Sequence, residues 1–280
     1  MTVASDWDDW LPRAIAAVDV TGVTCWYLGC NGFAIKAADG TTLFVDPYFG
    51  LGTPPRTTRM IPVPMDPTDV ERADAVLASH EHSDHVDGPS QAPILSDTGA
   101  TFYGANASVD RTDDEGWTDR WACDADQFTA VAPGDTFEVG SFTVHVEPAH
   151  DPLAEDPVSY LIEHGAATFF HGGDTRFDPD VLEPIGDRYD VDLGAVAFGS
   201  NGMIDDKETG EPRYRDWYPD GNEVVQVAEA VGIDRLVPTH WDMWKGLIAD
   251  PTALYDHARS FDYPKDVEIA EIGDRVELYG

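Results

Sequence analysis

The sequence is poor in basic residues and in cysteine. Only 17 of its 280 residues are Lys or Arg, against 53 Asp and Glu, which gives a formal net charge of -36. So acidic a surface repels phosphate backbones, and we predict that the chain binds no nucleic acid. The three cysteines, Cys25, Cys30 and Cys123, are an odd number, which argues against a disulfide framework and indicates reduced thiols.

Long apolar runs are also absent. No stretch approaches the roughly 18 apolar residues of a membrane-spanning helix, so we predict no membrane segment. The first residues are acidic and lack the basic and apolar regions of a secretory signal, which leads us to expect a cytoplasmic protein. Because the acidic residues are spread along the chain, we expect a folded protein adapted to high salt, as in halophiles, where ions screen the self-repulsion.

Nothing in the sequence divides the chain, since no low-complexity linker or internal repeat interrupts it. We therefore predict a single domain over residues 1–280. Alternating apolar residues and turn signals predict an antiparallel meander over 23–45, strand pairs over 136–147 and 158–171, and a closing pair of 267–272 with 275–278. Helical spacing predicts helices after Ser5 and over 222–231, and residues 46–67 have the composition of a long loop.

Four side chains that bind metals lie within six residues, directly after a short apolar run at 75–78. They are His80, His82, Asp84 and His85. The apolar run is too short for a helix, so the cluster is placed on the loop that leaves a buried strand. Imidazole and carboxylate suit zinc, manganese or iron, and ligands this closely spaced favour two adjacent ions over one.

Three more residues of the same types follow predicted strands. His150 comes after the strand that ends near residue 147, Asp174 follows two glycines after the strand ending at His171, and His240 follows a short apolar piece at 236–237. The same arrangement of a strand followed by a candidate ligand thus occurs four times.

In this order, the seven residues resemble the metal site of the metallo-β-lactamase superfamily. The resemblance implies an α/β fold, the four-layer αβ/βα sandwich, and two divalent metal ions, zinc or manganese. By motif, His80, His82 and His150 would hold the first ion, Asp84, His85 and His240 the second, and Asp174 would bridge both. Asp46, which follows the last strand of the meander, matches the supporting aspartate of that family.

Within the superfamily, the segments 26–32, 45–47 and 240–244 are most similar to the L-ascorbate-6-phosphate lactonase branch, while residues 205–220 depart from it. The resemblance implies a lactonase that acts on a small lactone, with phosphorylated sugars among the candidates, through a metal-bridging hydroxide that the catalytic residues Asp84 and Asp174 orient. Two alternatives stay open, a metal-dependent phosphodiesterase and a non-catalytic metal-binding protein. The partner is a small molecule, and assembly into a homo-oligomer is left open.

Several other polar or aromatic residues invite a functional reading. We interpret the remaining histidines, 145, 164, 171 and 257, as ordinary hydrogen-bonded or surface residues. Trp241 and Trp244 are candidates for a pocket wall, and Asp242 is a candidate orienter of a ligand histidine. Cys30 is interpreted as structural. The basic residues considered for a substrate phosphate are Arg59, Arg176, Arg213, Arg215 and Lys245.

Overall fold

The structure is a computed structural model that describes residues 3–54, 56–165 and 167–278. Its first six strands are β1 Val23–Gly29, β2 Gly32–Ala37, β3 Thr42–Val45, β4 Ala75–Leu77, β5 Thr101–Gly104 and β6 Phe128–Ala130. The others in this part of the chain are β7 Thr136–Val139, β8 Phe142–Pro148, β9 Val158–His164, β10 Ala167–His171, β11 Val191–Ala197, β12 Gly202–Asp205, β13 Pro212–Arg215, β14 Ile233–Thr239, β15 Asp266–Val267 and β16 Arg275–Leu278.

The described helices lie between these strands. They are α1 Trp10–Ala17, α2 Gly88–Thr98, α3 Asn106–Glu115, α4 Trp117–Arg120, α5 Pro179–Gly186, α6 Gly221–Val231 and α7 Leu254–Ala258, with short 3-10 turns at Pro67–Asp69, Ala125–Gln127 and Pro251–Ala253. Aspartates cap several of them, as Asp87 does by accepting the Ser90 N–H and Asp220 by accepting two N–H groups of the first turn of α6.

Two large sheets form the centre of the fold. Among the described residues one sheet has the order β16-β1-β2-β3-β4-β5-β6 and the other β15-β14-β11-β10-β9-β8-β7. The chain runs parallel in β3 to β6 and again in β10, β11, β14 and β15. The carboxyl ends of parallel neighbours lie at the same sheet edge, so this topology gathers the loops that follow β10 and β14 at one edge of the second sheet.

Burial of apolar side chains explains the layers. The inner faces of both sheets share one buried cluster, which includes Phe33 from the first sheet and Phe169 from the second. A second cluster packs α1 and α2 on the outside of the first sheet, and a third packs α5, α6 and α7 on the outside of the second. The predicted four-layer αβ/βα sandwich is confirmed.

Most predicted elements are confirmed, including the meander, the 136–147 hairpin and the helix over 222–231. The closing strand pair is wrong, because β15 joins β14 in the second sheet and β16 joins β1 in the first. The first helix begins at Trp10, later than Ser5, with Pro12 in its first turn where no N–H is needed. The β12–β13 hairpin within the charged segment was not predicted.

The described part of the chain contains no helix long and apolar enough to cross a bilayer.

Candidate metal centre

The histidines that follow β4 are fixed by hydrogen bonds on the ring nitrogens that face away from the cleft. Nδ1 of His80 lies 3.0 Å from the Ser79 hydroxyl, and Nε2 of His82 lies 3.1 Å from the Leu153 carbonyl. Nδ1 of His85 lies 2.8 Å from a carboxylate oxygen of Asp46. In each ring the opposite nitrogen is left to face the centre, which is how proteins orient metal-binding imidazoles.

Asp46 anchors this arrangement. It is fully buried in a left-handed backbone conformation, with φ of 43°, and accepts the Ser79 N–H at 2.8 Å and the Ser79 hydroxyl at 2.6 Å. Burial by itself would raise the pKa of the Asp46 carboxyl, but His85 and Ser79 outweigh it and hold that pKa below its ordinary value. The supporting role expected of Asp46 fits these contacts.

A first group of ligand atoms consists of His80 Nε2, His82 Nδ1 and Asp151 Oδ2. The two nitrogens are 2.8 Å apart, and the carboxylate oxygen lies 3.7 Å from each of them. A single point therefore lies about 2.0 Å from each of the three atoms, and about 2.0 Å is the usual distance between zinc and its nitrogen or oxygen ligands. This group therefore fits a divalent ion.

A second group combines His85 Nε2, His240 Nε2 and Asp174 Oδ1. Their mutual distances are 3.4, 3.4 and 3.5 Å, so they too are about 2.0 Å from one point. Asp84 Oδ2 lies 3.9 Å from His240 Nε2 on the cleft side. His80, His85 and Asp174 also form a group of close ligand atoms, so Asp174 lies next to both candidate positions.

The charges in the centre call for a cation. Burial would lower the pKa of His85, but the carboxylates of Asp174 and Asp46 outweigh burial and raise that pKa well above its ordinary value. Burial and the neighbouring His85 hold the pKa of His80 well below its ordinary value, so His80 is a neutral donor. The buried carboxylates thus favour positive charge at the centre, and imidazole with carboxylate is a ligand set that divalent zinc or manganese accepts.

His150 lies outside these groups. Its side chain is 40% exposed, and its Nδ1 is 3.7 Å from Asp178 Oδ2 at the start of α5. The buried residue next to it, Asp151, faces His80 and His82 instead. Asp151 could not be preferred over His150 from the sequence, because β8 ends at Pro148 and strand alternation no longer indicates which side chain faces inward.

The turn between β1 and β2 supports the centre from below. The side-chain amide of Asn31 makes two hydrogen bonds. Its N–H donates to Asp174 Oδ1 at 3.3 Å, and its Oδ1 accepts the Thr239 hydroxyl at 2.7 Å. Cys30 Sγ lies 3.5 and 3.9 Å from the two ring nitrogens of His240. Such similar distances place the sulfur beside the ring and off the Nε2 lone-pair axis, and Tyr218 stacks on the same imidazole at 4.5 Å.

Comparison with known proteins identifies the family. The model of the beta-lactamase superfamily domain matches residues 41–241, which include all seven predicted ligands. The chain belongs to the beta-lactamase superfamily. Superfamily members bind divalent metals, so the prediction of a metal-dependent hydrolase with this fold is confirmed at that level.

Individual proteins resemble this chain in sequence or in fold. A probable L-ascorbate-6-phosphate lactonase of Escherichia fergusonii is 25% identical over 295 residues, covering 89% of this chain and 78% of its own. A metallo hydrolase from the archaeon Ignicoccus hospitalis superposes with a TM-score of 0.67 at 19% identity, over 91% of this chain and 98% of that one. The metallo-beta-lactamase fold protein YhfI from Bacillus subtilis superposes with a TM-score of 0.62 at 20% identity, over 91% of this chain and 98% of that one.

In this member of the superfamily the ligand groups lie at the floor of a cleft of about 490 Å³. Aromatic side chains form much of its wall, namely Tyr48, Trp217, Tyr218 and Trp244. The indole N–H of Trp244 points to Asp84 Oδ2 at 3.3 Å, so Trp244 lines the cleft as considered from the sequence. Trp241 instead packs against the third apolar cluster.

The basic residues that line the cleft differ from those considered for a substrate phosphate. They are Arg56, Arg111 and Lys207. Buried Arg59 donates to carbonyl oxygens of its own loop, and Arg176 pairs with Asp216 and Glu223. Arg213 and Arg215 pair with Asp206, and Lys245 does not line this cleft. The sequence offered no signal for Lys207, because the hairpin that carries it was not predicted.

The remaining histidines behave as interpreted. His171 is fully buried, donates Nε2–H to the Asn31 backbone carbonyl at 2.8 Å and accepts the Gly173 N–H at Nδ1. His145 pairs with Glu163, and His257 contacts Asn222. Both nitrogens of His171 are thus used within the protein.

Proposed function

We propose that the protein is a dinuclear metal-dependent lactonase that acts on a small, phosphorylated lactone. The observation that carries this proposal is the pair of neighbouring ligand groups, each of which fits one divalent ion, at the floor of a cleft whose wall includes four aromatic side chains. Among the predicted ligands, His80 and His82 would hold the first ion with a residue of the 150–151 segment. Asp84, His85 and His240 would hold the second, with Asp174 between them.

Bound divalent ions would supply a water of lowered pKa and polarise the carbonyl that is attacked. The chain's own residues then set the geometry of proton transfer. Asp84, held at Oδ2 by the Trp244 indole, orients the attacking water and accepts its proton at the other carboxylate oxygen. As the ring C–O bond breaks, the same carboxyl gives the proton to the leaving ring oxygen, so that the lactone becomes a hydroxy acid.

Asp174 and its neighbours keep the centre in place during these steps. The Asn31 amide holds Asp174 Oδ1, and the stacked ring of Tyr218 fixes the orientation of His240.

The charge of the cleft supports an anionic substrate. Its lining includes three basic side chains and five carboxylates, Glu81, Asp84, Asp87, Asp151 and Asp174. Two divalent ions would reverse that negative balance, in a protein whose overall charge is -36. Arg56 and Lys207 therefore become an attractive end of the cleft for a phosphate once the metals are bound.

The lactone part of the proposal is supported by the resemblance to probable L-ascorbate-6-phosphate lactonases over 89% of this chain. The test is hydrolysis of L-ascorbate 6-phosphate, a panel of other lactones and bis-p-nitrophenyl phosphate by the metal-loaded protein in high salt. We expect lactone turnover, and we expect Asp174→Ala to lose at least 100-fold of it together with bound metal, because that variant removes the carboxylate shared by both groups.

The same panel decides between this function and the alternatives. Turnover of the phosphodiester without any lactone would favour a phosphodiesterase, since two metals also suit in-line phosphoryl displacement. A protein that binds two ions and turns over neither substrate would be a metal-binding protein without this activity. We further propose a salt-rich cytoplasm as its setting, which the acidic composition and the three free thiols support.

A further inference from the structure

We propose that Asp151, and not His150, is the third protein ligand of the first metal ion. The inference rests on the two-metal site of the proposed function and assigns a residue that the family pattern does not. It is carried by the hydrogen bonds that fix His80 and His82 and by the direction of the Asp151 carboxylate.

The hydrogen-bond network leaves lone pairs pointing at one another. The Ser79 hydroxyl donates to Asp46, so it accepts from His80 Nδ1–H, and His80 Nε2 is left as an acceptor. His82 Nε2 must donate to the Leu153 carbonyl, which leaves His82 Nδ1 as an acceptor as well. These two nitrogens are 2.8 Å apart, and a divalent ion placed between them would accept both lone pairs.

Asp151 adds the third acceptor. Its Oδ1 is satisfied by the Leu153 N–H at 2.9 Å, while Oδ2 lies 3.7 Å from His80 Nε2 and 3.7 Å from His82 Nδ1. The residue is buried, with 6% of its surface exposed. Positive charge stabilises a carboxylate that is taken out of water, and a metal held by the two imidazoles would supply that charge.

His150 is directed elsewhere by its own contacts. Its backbone N–H donates to the Thr175 hydroxyl at 2.9 Å, and the Arg176 N–H donates to its carbonyl at 2.7 Å. These two bonds fix the backbone with the imidazole on the side of Asp178.

The assignment has a consequence for metal choice. With Asp151 the first ion has two nitrogens and a carboxylate oxygen, and the carboxylate of Asp174 lies beside the group. Carboxylate ligands suit manganese better than a set of three imidazoles, which suits zinc. We therefore expect Asp151→His to shift the preference of the first position from Mn²⁺ towards Zn²⁺.

Neighbouring residues provide a matched pair of variants for the test. The full-length protein, Asp151→Ala, Asp151→Asn and His150→Ala are freed of metal, reloaded with Mn²⁺ or Zn²⁺ in high salt and passed over a desalting column. Bound metal per chain is then measured by mass spectrometry, and circular dichroism checks folding. Asp151→Asn keeps the size of the side chain and an oxygen for the Leu153 N–H, so it guards against a loss that comes only from misfolding.

We expect both Asp151 variants to bind about one ion fewer than wild type, and His150→Ala to bind as many as wild type. An equal metal content in wild type and in folded Asp151→Asn and Asp151→Ala would overturn the proposal, as would loss of an ion in His150→Ala. No substrate is involved, so the result is independent of lactone turnover. The wild-type total separately tests the two-metal site, because fewer than two ions there would count against the proposed mechanism.

Discussion

Arg56 and Lys207 approach the cleft from two segments that are far apart in sequence. Arg56 donates Nε–H to the Asp205 carbonyl at 3.1 Å, two residues before Lys207, and its guanidinium lies over Trp217. This bond leaves the terminal nitrogens of Arg56 available to a ligand. Both cations therefore line the same cleft.

We expect Arg56→Gln and Lys207→Gln each to raise KM for L-ascorbate 6-phosphate about tenfold and to leave L-ascorbate almost unchanged. Hydrogen bonds to charged groups contribute about 1.5–3 kcal/mol, which corresponds to a tenfold effect or more. The measurement is the ratio of kcat/KM for the two lactones, which differ only in the phosphate. Lys245→Gln removes the same charge outside the cleft and is expected to keep the wild-type ratio.

Asp46 is expected to affect metal affinity through His85, without contacting the substrate. Asp46→Asn keeps the shape of the side chain but removes the charge opposite His85. Residues that orient a metal ligand typically change metal affinity by about 10–100-fold. We expect a loss in that range for the second ion, measured by titration against a chelator, and little change for Asp97→Asn on the exposed end of α2. Unchanged affinity would show that His85 needs no such support.

At the residue scale, the sequence was informative where chemistry is concentrated in a short motif. His80, His82, Asp84 and His85 are adjacent in the chain, and Asp174 and His240 follow strands whose ends the topology brings together. The hydrogen bond from Asn31 to Asp174 and the orientation of Asp151 were not predicted, because both depend on the direction of a side chain beyond the end of a strand. The single-domain prediction for 1–280 agrees with the shared core of the two sheets and stays a prediction.

The β12–β13 hairpin is the element that positions Lys207. Its turn depends on Asp206, whose Oδ1 lies 3.2 Å from the backbone N–H groups of Glu208 and Thr209 and whose Oδ2 accepts from Arg215 at 2.8 Å. These donors, first among them the Thr209 N–H, lower the pKa of Asp206 to about 2. The carboxylate thus stays ionised at every pH where the enzyme would be assayed.

We expect Asp206→Ala to loosen this turn and reduce the preference for the phosphorylated lactone several-fold, with little effect on kcat for L-ascorbate. The effect should mimic Lys207→Gln, because both displace the same charge. Since the folded pKa is depressed, the stabilisation by Asp206 is present above its ordinary pKa of about 3.9 and is lost as pH falls through about 2. Wild-type selectivity should therefore show no pH dependence from titration of Asp206 between pH 5 and 8, because the carboxylate is ionised throughout that range. A preference retained in Asp206→Ala would exclude the hairpin from substrate recognition.

Element pairing explains which parts of the fold the sequence could not predict. The alternation over 267–272 and 275–278, with Gly273 between them, is typical of a hairpin, yet the two strands belong to different sheets. Their partners, β14 and β1, are selected by burial against distant residues and not by local turn chemistry. The meander and the 136–147 hairpin were predictable because their partners are adjacent in sequence.

At the scale of the whole molecule, the acidic surface works against local stability. The last turn of α3 includes Asp113, Asp114 and Glu115 and no basic residue, although negative charge at a helix C-terminus is unfavourable. Few of the 53 acidic residues can be paired by 17 basic ones, so most of the surface charge is repulsive. This composition is tolerable where salt is abundant, because the screening length falls from about 10 Å at 0.1 M to about 3 Å at 1 M.

We expect the Tm to rise by at least 10 °C between 0.1 and 2 M KCl, because screening removes repulsion that is greater in the compact state than in the unfolded chain. Thermal unfolding followed by circular dichroism measures this.

A variant with Asp110, Asp113, Asp114 and Asp119 changed to Asn should be more stable than wild type at 0.1 M and should gain less from KCl, since these four side chains are exposed. Sucrose, which strengthens burial without screening, should raise the Tm of both proteins equally. A Tm independent of KCl, or an equal KCl response in the two proteins, would show that surface repulsion does not limit stability and would remove the physical basis for a salt-rich setting.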